Sequence, residues 1–157
     1  MRMNRVSDSE LHPDALGRLV NDVGFLAARW ARITVRAANG ALEDLGLTTR
    51  QYAVLEIALS GGGVNQREIG QSLRLDPSGI VAIVDELGEA GLVRRSPDPS
   101  DRRRVLVTAT PAGSALADVA AERMRGTFDA ILAEHLPESL RAPFTESLTK
   151  LALSVSD

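Results

Sequence analysis

Cysteine is absent from the 157-residue chain, which removes disulfides, thiolate metal sites and thiol redox sensing together. Lysine is almost as scarce: Lys150 is the single lysine among eighteen basic residues, leaving seventeen arginines. That bias fits a GC-rich genome as well as selection for bidentate phosphate binding, so alone it decides nothing. No run of about 18 apolar residues occurs, which argues against a membrane span. The opening MRMNRVSDSELHPD carries charges but no apolar core of a signal peptide. A cytoplasmic protein is expected. Catalytic signatures are missing as well. There is no nucleophile elbow, no HExxH, and the glycines at 61–63 lack the Lys and Ser/Thr that complete a phosphate loop. No enzyme is expected, and no cofactor.

What is present describes one ordinary globular domain, with 44% hydrophobic and 25% charged residues and neither repeats nor low-complexity tracts. Apolar residues from Leu16 to Ala37 recur at spacings of three and four, predicting one long amphipathic helix over 11–45. Thr48 with Gln51, and Asn65 with Glu68, each have the spacing of a capping box and open two short helices. Asp76 as N-cap, Pro77 as first helical residue and Gly91 as C-terminal stop bound a fourth helix. Its core face is Ile80, Ile83, Val84 and Leu87, which sends Ser78, Ala82 and Asp85 outward. LVRRS and RRRVLVTAT read as two strands of a hairpin with an irregular, proline-bearing tip. Thr110 and Pro111 open another long helix, which Pro137 ends. Pro143 predicts a separate turn before a last helix over about 142–155.

The hairpin holds the sharpest charge feature. RRSPDPSDRRR, residues 94–104, gathers Arg94, Arg95, Arg102, Arg103 and Arg104 against Asp98 and Asp101, a local +3 in a chain of formal net charge -3. The other residues therefore sum to -6. An anionic partner is expected at this one place, despite an overall pI of about 5.4. The alternative is a solvated surface run. Strand alternation would send Asp101 and Arg103 to one side, Arg102 and Arg104 to the other.

The order of elements is a winged helix-turn-helix flanked by helical arms: a mainly α fold with a small β-hairpin wing. Residues 75–113 resemble the MarR family of bacterial transcriptional regulators, through VDELGEAGLVRR, the DPSDRR tip and the T-x-T-P-x-G exit. The likeness extends more loosely over 11–155. It implies a single MarR-like domain over 1–157, with dimerisation helices at 11–45 and 110–157 and a DNA-binding lobe at 46–109. The implied partners are double-stranded DNA and a second copy of the chain, with recognition helices in successive major grooves of a pseudo-palindromic operator.

On that reading Pro77, Ser78, Gly79, Val81 and Ala82 are the recognition positions. Of these only serine hydrogen-bonds through its side chain, and no Arg, Asn or Gln is present to read a base bidentately. Specificity is then expected partly from groove shape. Asp101 and Arg103 match a family pattern in which the acid holds an arginine that probes the minor groove. Arg95, Arg102 and Arg104 are assigned to phosphates, with Thr48, Arg50, Gln66, Arg67 and Arg74.

The resemblance also implies a small-molecule effector, often aromatic or anionic, that releases the DNA. Arg29, Trp30 and Arg32 are candidates to meet it, against the alternative of a core tryptophan beside two solvated arginines. The missing cysteine excludes peroxide sensing of the thiol type. His12 and His135 are isolated, and no metal site is expected. Two other readings stay open: a regulator without an effector, and a winged-helix module that binds protein.

Overall fold

The structure is a computed structural model that describes residues 16–154. His12, the first residues of the expected long helix, and Val155 lie outside them. The chain divides into two compact units, residues 1–36 and 37–157.

In the first unit the expected unbroken helix is replaced by a 3-10 turn, Gly17–Asn21, and a helix α1, Val23–Leu42, which continues into the second unit. The break has a local cause. Asp22 leaves the helical region with ψ 109°, and its Oδ1 accepts the backbone N–H of Phe25 at 2.7 Å, as an N-cap does. Leu19 and Val20 continue the apolar spacing but fall in the turn.

After α1 a second 3-10 turn, Glu43–Leu45, ends at Gly46 in the left-handed region. The second unit then runs α2 (Thr49–Ala58), β1 (Val64–Asn65), α3 (Gln66–Leu73), α4 (Pro77–Glu89), β2 (Val93–Pro97), β3 (Val105–Ala109), α5 (Pro111–His135) and α6 (Glu138–Ser154). Both capping boxes form, at Thr48–Gln51 and Asn65–Glu68. Asp76 and Thr110 cap α4 and α5, each followed by its proline. Gly91, at φ 70°, terminates α4 in the left-handed conformation.

The three strands are antiparallel in the order β1-β3-β2, with Arg95 opposite Val107 and Pro97 opposite Val105. β1 was not legible in the sequence: two residues carry no alternation. Its entry depends on Gly63, at φ 82°, where an added Cβ would sit 2.7 Å from Thr108 Cγ2.

Leu42, Leu55, Ile69, Ile80, Val84, Leu87 and Val107 are fully buried and pack the helix-turn-helix onto the sheet. Ala117 and Ala120 of α5 close the same core. The T-P-x-G exit acquires a physical basis here. Thr110 Oγ1 accepts the N–H of Gly113 and donates to the Gly91 carbonyl at 2.7 Å. A Cβ on Gly113 would lie 2.0 Å from the Leu92 carbonyl oxygen, so α5 starts against the backbone of the strand entry.

α6 departs from expectation: it is continuous over Glu138–Ser154 with Pro143 inside. Pro143 falls early in the helix, where it removes one backbone hydrogen bond. Arg141 fastens this first stretch to the end of α5, donating to the carbonyls of Leu136 and Ala133 at 3.1 and 3.2 Å. Among the described residues no helix is long and apolar enough to cross a membrane.

Candidate nucleic-acid interface

The start of α4 is organised by one carboxylate. Asp76 Oδ1 accepts the Gly79 N–H at 2.8 Å and the Ser78 hydroxyl at 2.5 Å. The serine hydrogen bond, then the Gly79 N–H, hold the Asp76 carboxyl below the usual aspartate range. Pro77, Ser78, Val81 and Ala82 are exposed and Gly79 is half-buried, opposite the buried face of Ile80, Val84 and Leu87. The structure therefore presents an exposed face of small and apolar side chains with one hydroxyl. Beside it an open cleft of about 410 Å³ brings Gln66, Arg67 and Gln71 of α3 next to Pro77 and Val81. Gln66 Nε2 is buried and has no hydrogen-bond partner among the described residues.

The other expected phosphate contacts lie at helix starts and turns of the same unit. Thr48 and Arg50 lie at the exposed start of α2. Gln51, whose Oε1 closes the Thr48 capping box, donates through Nε2 to Glu86 on α4 at 2.8 Å. Arg67 is exposed on α3. Arg74 sits in the left-handed region, at φ 51°, in the turn that redirects the chain from α3 into α4.

In the wing, the five arginines have different surroundings. Arg94 donates to Thr108 Oγ1 at 3.1 Å, and Arg95 pairs with Asp85 of α4 at 2.5 Å. Arg103 donates its N–H and its Nε to Asp101 Oδ1, both at 3.1 Å, while its side chain stays 91% exposed. That contact, more than any other, depresses the Asp101 carboxyl pKa. Arg104 pairs with Glu68 of α3 at 3.1 Å and approaches Asp98 at 3.9 Å. Asp98 is buried and accepts the N–H and hydroxyl of Ser100 at 2.8 and 2.6 Å. Among the described residues Arg102 has no hydrogen-bonding or ionic partner.

Two expectations need correction. β2 ends at Pro97 and β3 begins at Val105, so Asp101–Arg104 form a turn and strand alternation does not govern them. Asp101 and Arg103 meet because the Asp101 carboxylate caps the turn, accepting the backbone N–H two residues on. Nor are all five guanidiniums equally available. Counting Asp85 and Glu68, which Arg95 and Arg104 engage, lowers the local charge from +3 to +1. Sequence reasoning missed both acids as parts of the wing. Glu68 was visible only as a capping residue, 36 positions from its partner.

Arg29, Trp30 and Arg32 lie on α1 within the first unit, the first two half-buried and Arg32 exposed. His135 stands 3.9 Å from Glu134 at the end of α5. Among the described residues no group of three or more His, Asp or Glu side chains is arranged to hold a metal.

A helix-turn-helix whose second helix packs against a hairpin carrying an exposed arginine is the geometry of a winged helix-turn-helix, and the comparisons agree. The profile of the MarR family matches residues 45–104. A MarR-family transcriptional regulator from Rhodococcus sp. RHA1 is 38% identical over 88% of this chain and 98% of its own, with a TM-score of 0.79. The chain belongs to the MarR family. CouR from Rhodococcus jostii RHA1, solved with p-coumaroyl-CoA, is 39% identical over 88% of this chain and 97% of its own, with a TM-score of 0.76. A transcriptional repressor CouR bound to a 23-mer DNA duplex is 28% identical over 92% of this chain and 99% of its own, with a TM-score of 0.79. As a MarR-family member the chain is a DNA-binding transcriptional regulator and not an enzyme.

Proposed function

We propose that this regulator is a homodimeric repressor that occupies a pseudo-palindromic operator and leaves it when a small aromatic, anionic effector binds. The observation that carries the DNA reading is the pairing of the low exposed face of α4 with Arg103, fixed at its base by Asp101 yet 91% exposed. An α-helix fits the major groove, and a guanidinium projecting from a wing is attracted to a narrow, A·T-rich minor groove. Pro77, Ser78, Gly79, Val81 and Ala82 face base edges, with Val81 and Ala82 suited to thymine methyl groups. Arg94, Arg95 and Arg102 of the wing, with Thr48, Arg50, Arg67 and Arg74, neutralise or hydrogen-bond phosphates; Gln66, whose Nε2 is buried, is left out of this set.

The dimer is assigned to the segments 11–45 and 110–157, which carry α1, α5 and α6. In support, Val23, Ile33 and Val35 of α1 and Leu148, Leu151 and Leu153 of α6 are exposed apolar residues. The effector reading draws support from CouR, which holds p-coumaroyl-CoA and is 39% identical to this chain. Arg29, Trp30 and Arg32 are the residues assigned to it, a ring for stacking between two cations.

The test is titration of the operator with and without p-coumaroyl-CoA and simple aromatic carboxylates, alongside thermal melts. A ligand that binds the released state better raises the melting temperature and weakens DNA binding together. If the protein binds its operator and no compound of this class has either effect, the regulator is constitutive.

A further inference from the structure

Few backbone hydrogen bonds hold the tip of the wing, where the carboxylates of Asp98 and Asp101 bind Ser100 and Arg103 within the turn. Between Pro97 and Val105 the strand ladder is interrupted, and two backbone hydrogen bonds remain: Asp98 N–H to the Arg104 carbonyl at 2.9 Å, and Arg104 N–H to the Asp101 carbonyl at 2.8 Å. Both involve Arg104. Its guanidinium extends away from the tip to α3, where Nη2 donates to Glu68 Oε1 at 3.1 Å, while Nη1 lies 3.9 Å from Asp98 Oδ2. The other carboxylate oxygen of Glu68 accepts the Asn65 N–H at 3.2 Å, completing the capping box of α3. One carboxylate thus fastens the start of α3 and the root of the wing tip.

The consequence reaches Arg103. Asp101, which holds Arg103 by its side chain, is itself held by its carbonyl to the Arg104 N–H. Fixing Arg104 therefore fixes the turn from which Arg103 projects. A tip free to sample many orientations would lose that freedom on binding, at a cost in affinity.

We propose that Glu68 is a positioning residue for DNA binding and that Arg104 is its tether, so that Arg104 serves the wing and not a phosphate. The inference rests on the DNA-binding reading above and assigns a favourable role to an acid on a surface meant for a polyanion. Bulk electrostatics predicts the reverse. Removing Glu68 would lower the repulsion and free a guanidinium, tightening binding.

The experiment uses the full chain, its Glu68→Gln, Arg104→Gln and doubly substituted forms, and Arg102→Gln as a reference for a phosphate contact. Glutamine at 68 retains an acceptor for the capping box. Affinity for a duplex selected by the unsubstituted chain from a random pool is measured at several salt concentrations. Amide exchange at Asp98 and Arg104 is followed without DNA.

Glu68→Gln and Arg104→Gln should each weaken binding roughly twofold to fivefold, the range of an exposed ion pair. The slope of log affinity against log salt should stay unchanged, and the double variant should lose no more than either single one. Exchange at Asp98 and Arg104 should quicken in both variants. Tighter binding by Glu68→Gln would overturn the proposal. So would a slope lowered by about one in Arg104→Gln, the mark of a lost phosphate contact, or unchanged exchange in Glu68→Gln. If no duplex is selected, the DNA reading fails instead, and the exchange data still report whether the tether exists.

Discussion

Asp101 and Arg103 show how much a single side chain's meaning depends on its neighbour. As a lone charge, Asp101 opposes DNA; as the acceptor of three hydrogen bonds from Arg103 it selects where the guanidinium points. The two roles predict opposite signs. If Asp101 holds the arginine, Asp101→Ala weakens operator binding and blunts discrimination against G·C pairs beneath the wing, as Arg103→Ala does. If it only repels, Asp101→Ala binds more tightly with specificity unchanged. Operator titrations with both variants on A·T- and G·C-substituted flanks separate the two. This pair was legible in the sequence as D-x-R. Its cause was not, because a carboxylate capping a turn and two residues on one strand face share the same spacing. The ties from Arg95 to Asp85 and from Arg104 to Glu68 left no local signal at all.

At the scale of elements, the sequence was most informative where a side chain closes its own backbone. Thr48, Asn65, Asp76 and Thr110 cap helices within three residues of themselves, so four helix starts could be read directly. Where longer-range forces compete it was less informative. Apolar spacing ran through Asp22 and concealed a cap; Pro143 announced a break, yet α6 runs through it with Arg141 bonded to the end of α5; β1 exists only because β3 is there to pair with it. The exit into α5 is open to test. Gly113→Ala places a methyl group against the Leu92 carbonyl, a backbone atom that cannot step aside cheaply. A loss of about 1–3 kcal/mol is expected in denaturant titration, whereas an ordinary helical glycine would gain from the change. Acid should loosen the DNA-binding lobe too. Asp76, Asp98 and Asp101 have folded-state pKa values below the ordinary one, chiefly through hydrogen bonds from Ser78, Ser100 and Arg103 respectively. Their contribution is complete above the unfolded aspartate pKa, near pH 4, and is lost as pH falls through the lower folded values. Thermal melts from pH 7 to pH 2.5 should show a flat upper range for these groups and a decline beginning below about pH 4.

For the whole molecule, a chain of net charge -3 recognises a polyanion only if its charges are sorted in space. The sorting here is local: a wing in which some arginines are spent on protein acids and others face outward, beside a recognition helix with no bidentate reader. On the proposed homodimer, such a surface would take its specificity from shape and from two copies acting on two half-sites, more than from single base contacts. The measurement that tests this most directly is selection of bound duplexes from a random pool, with sequencing of what is retained. The account predicts an enriched two-fold symmetric site, its half-sites about one helical turn apart, flanked by A·T-rich steps whose enrichment disappears in Arg103→Ala. Retention of DNA with no enriched sequence, or enrichment of a single asymmetric half-site with flanks indifferent to Arg103, would contradict it.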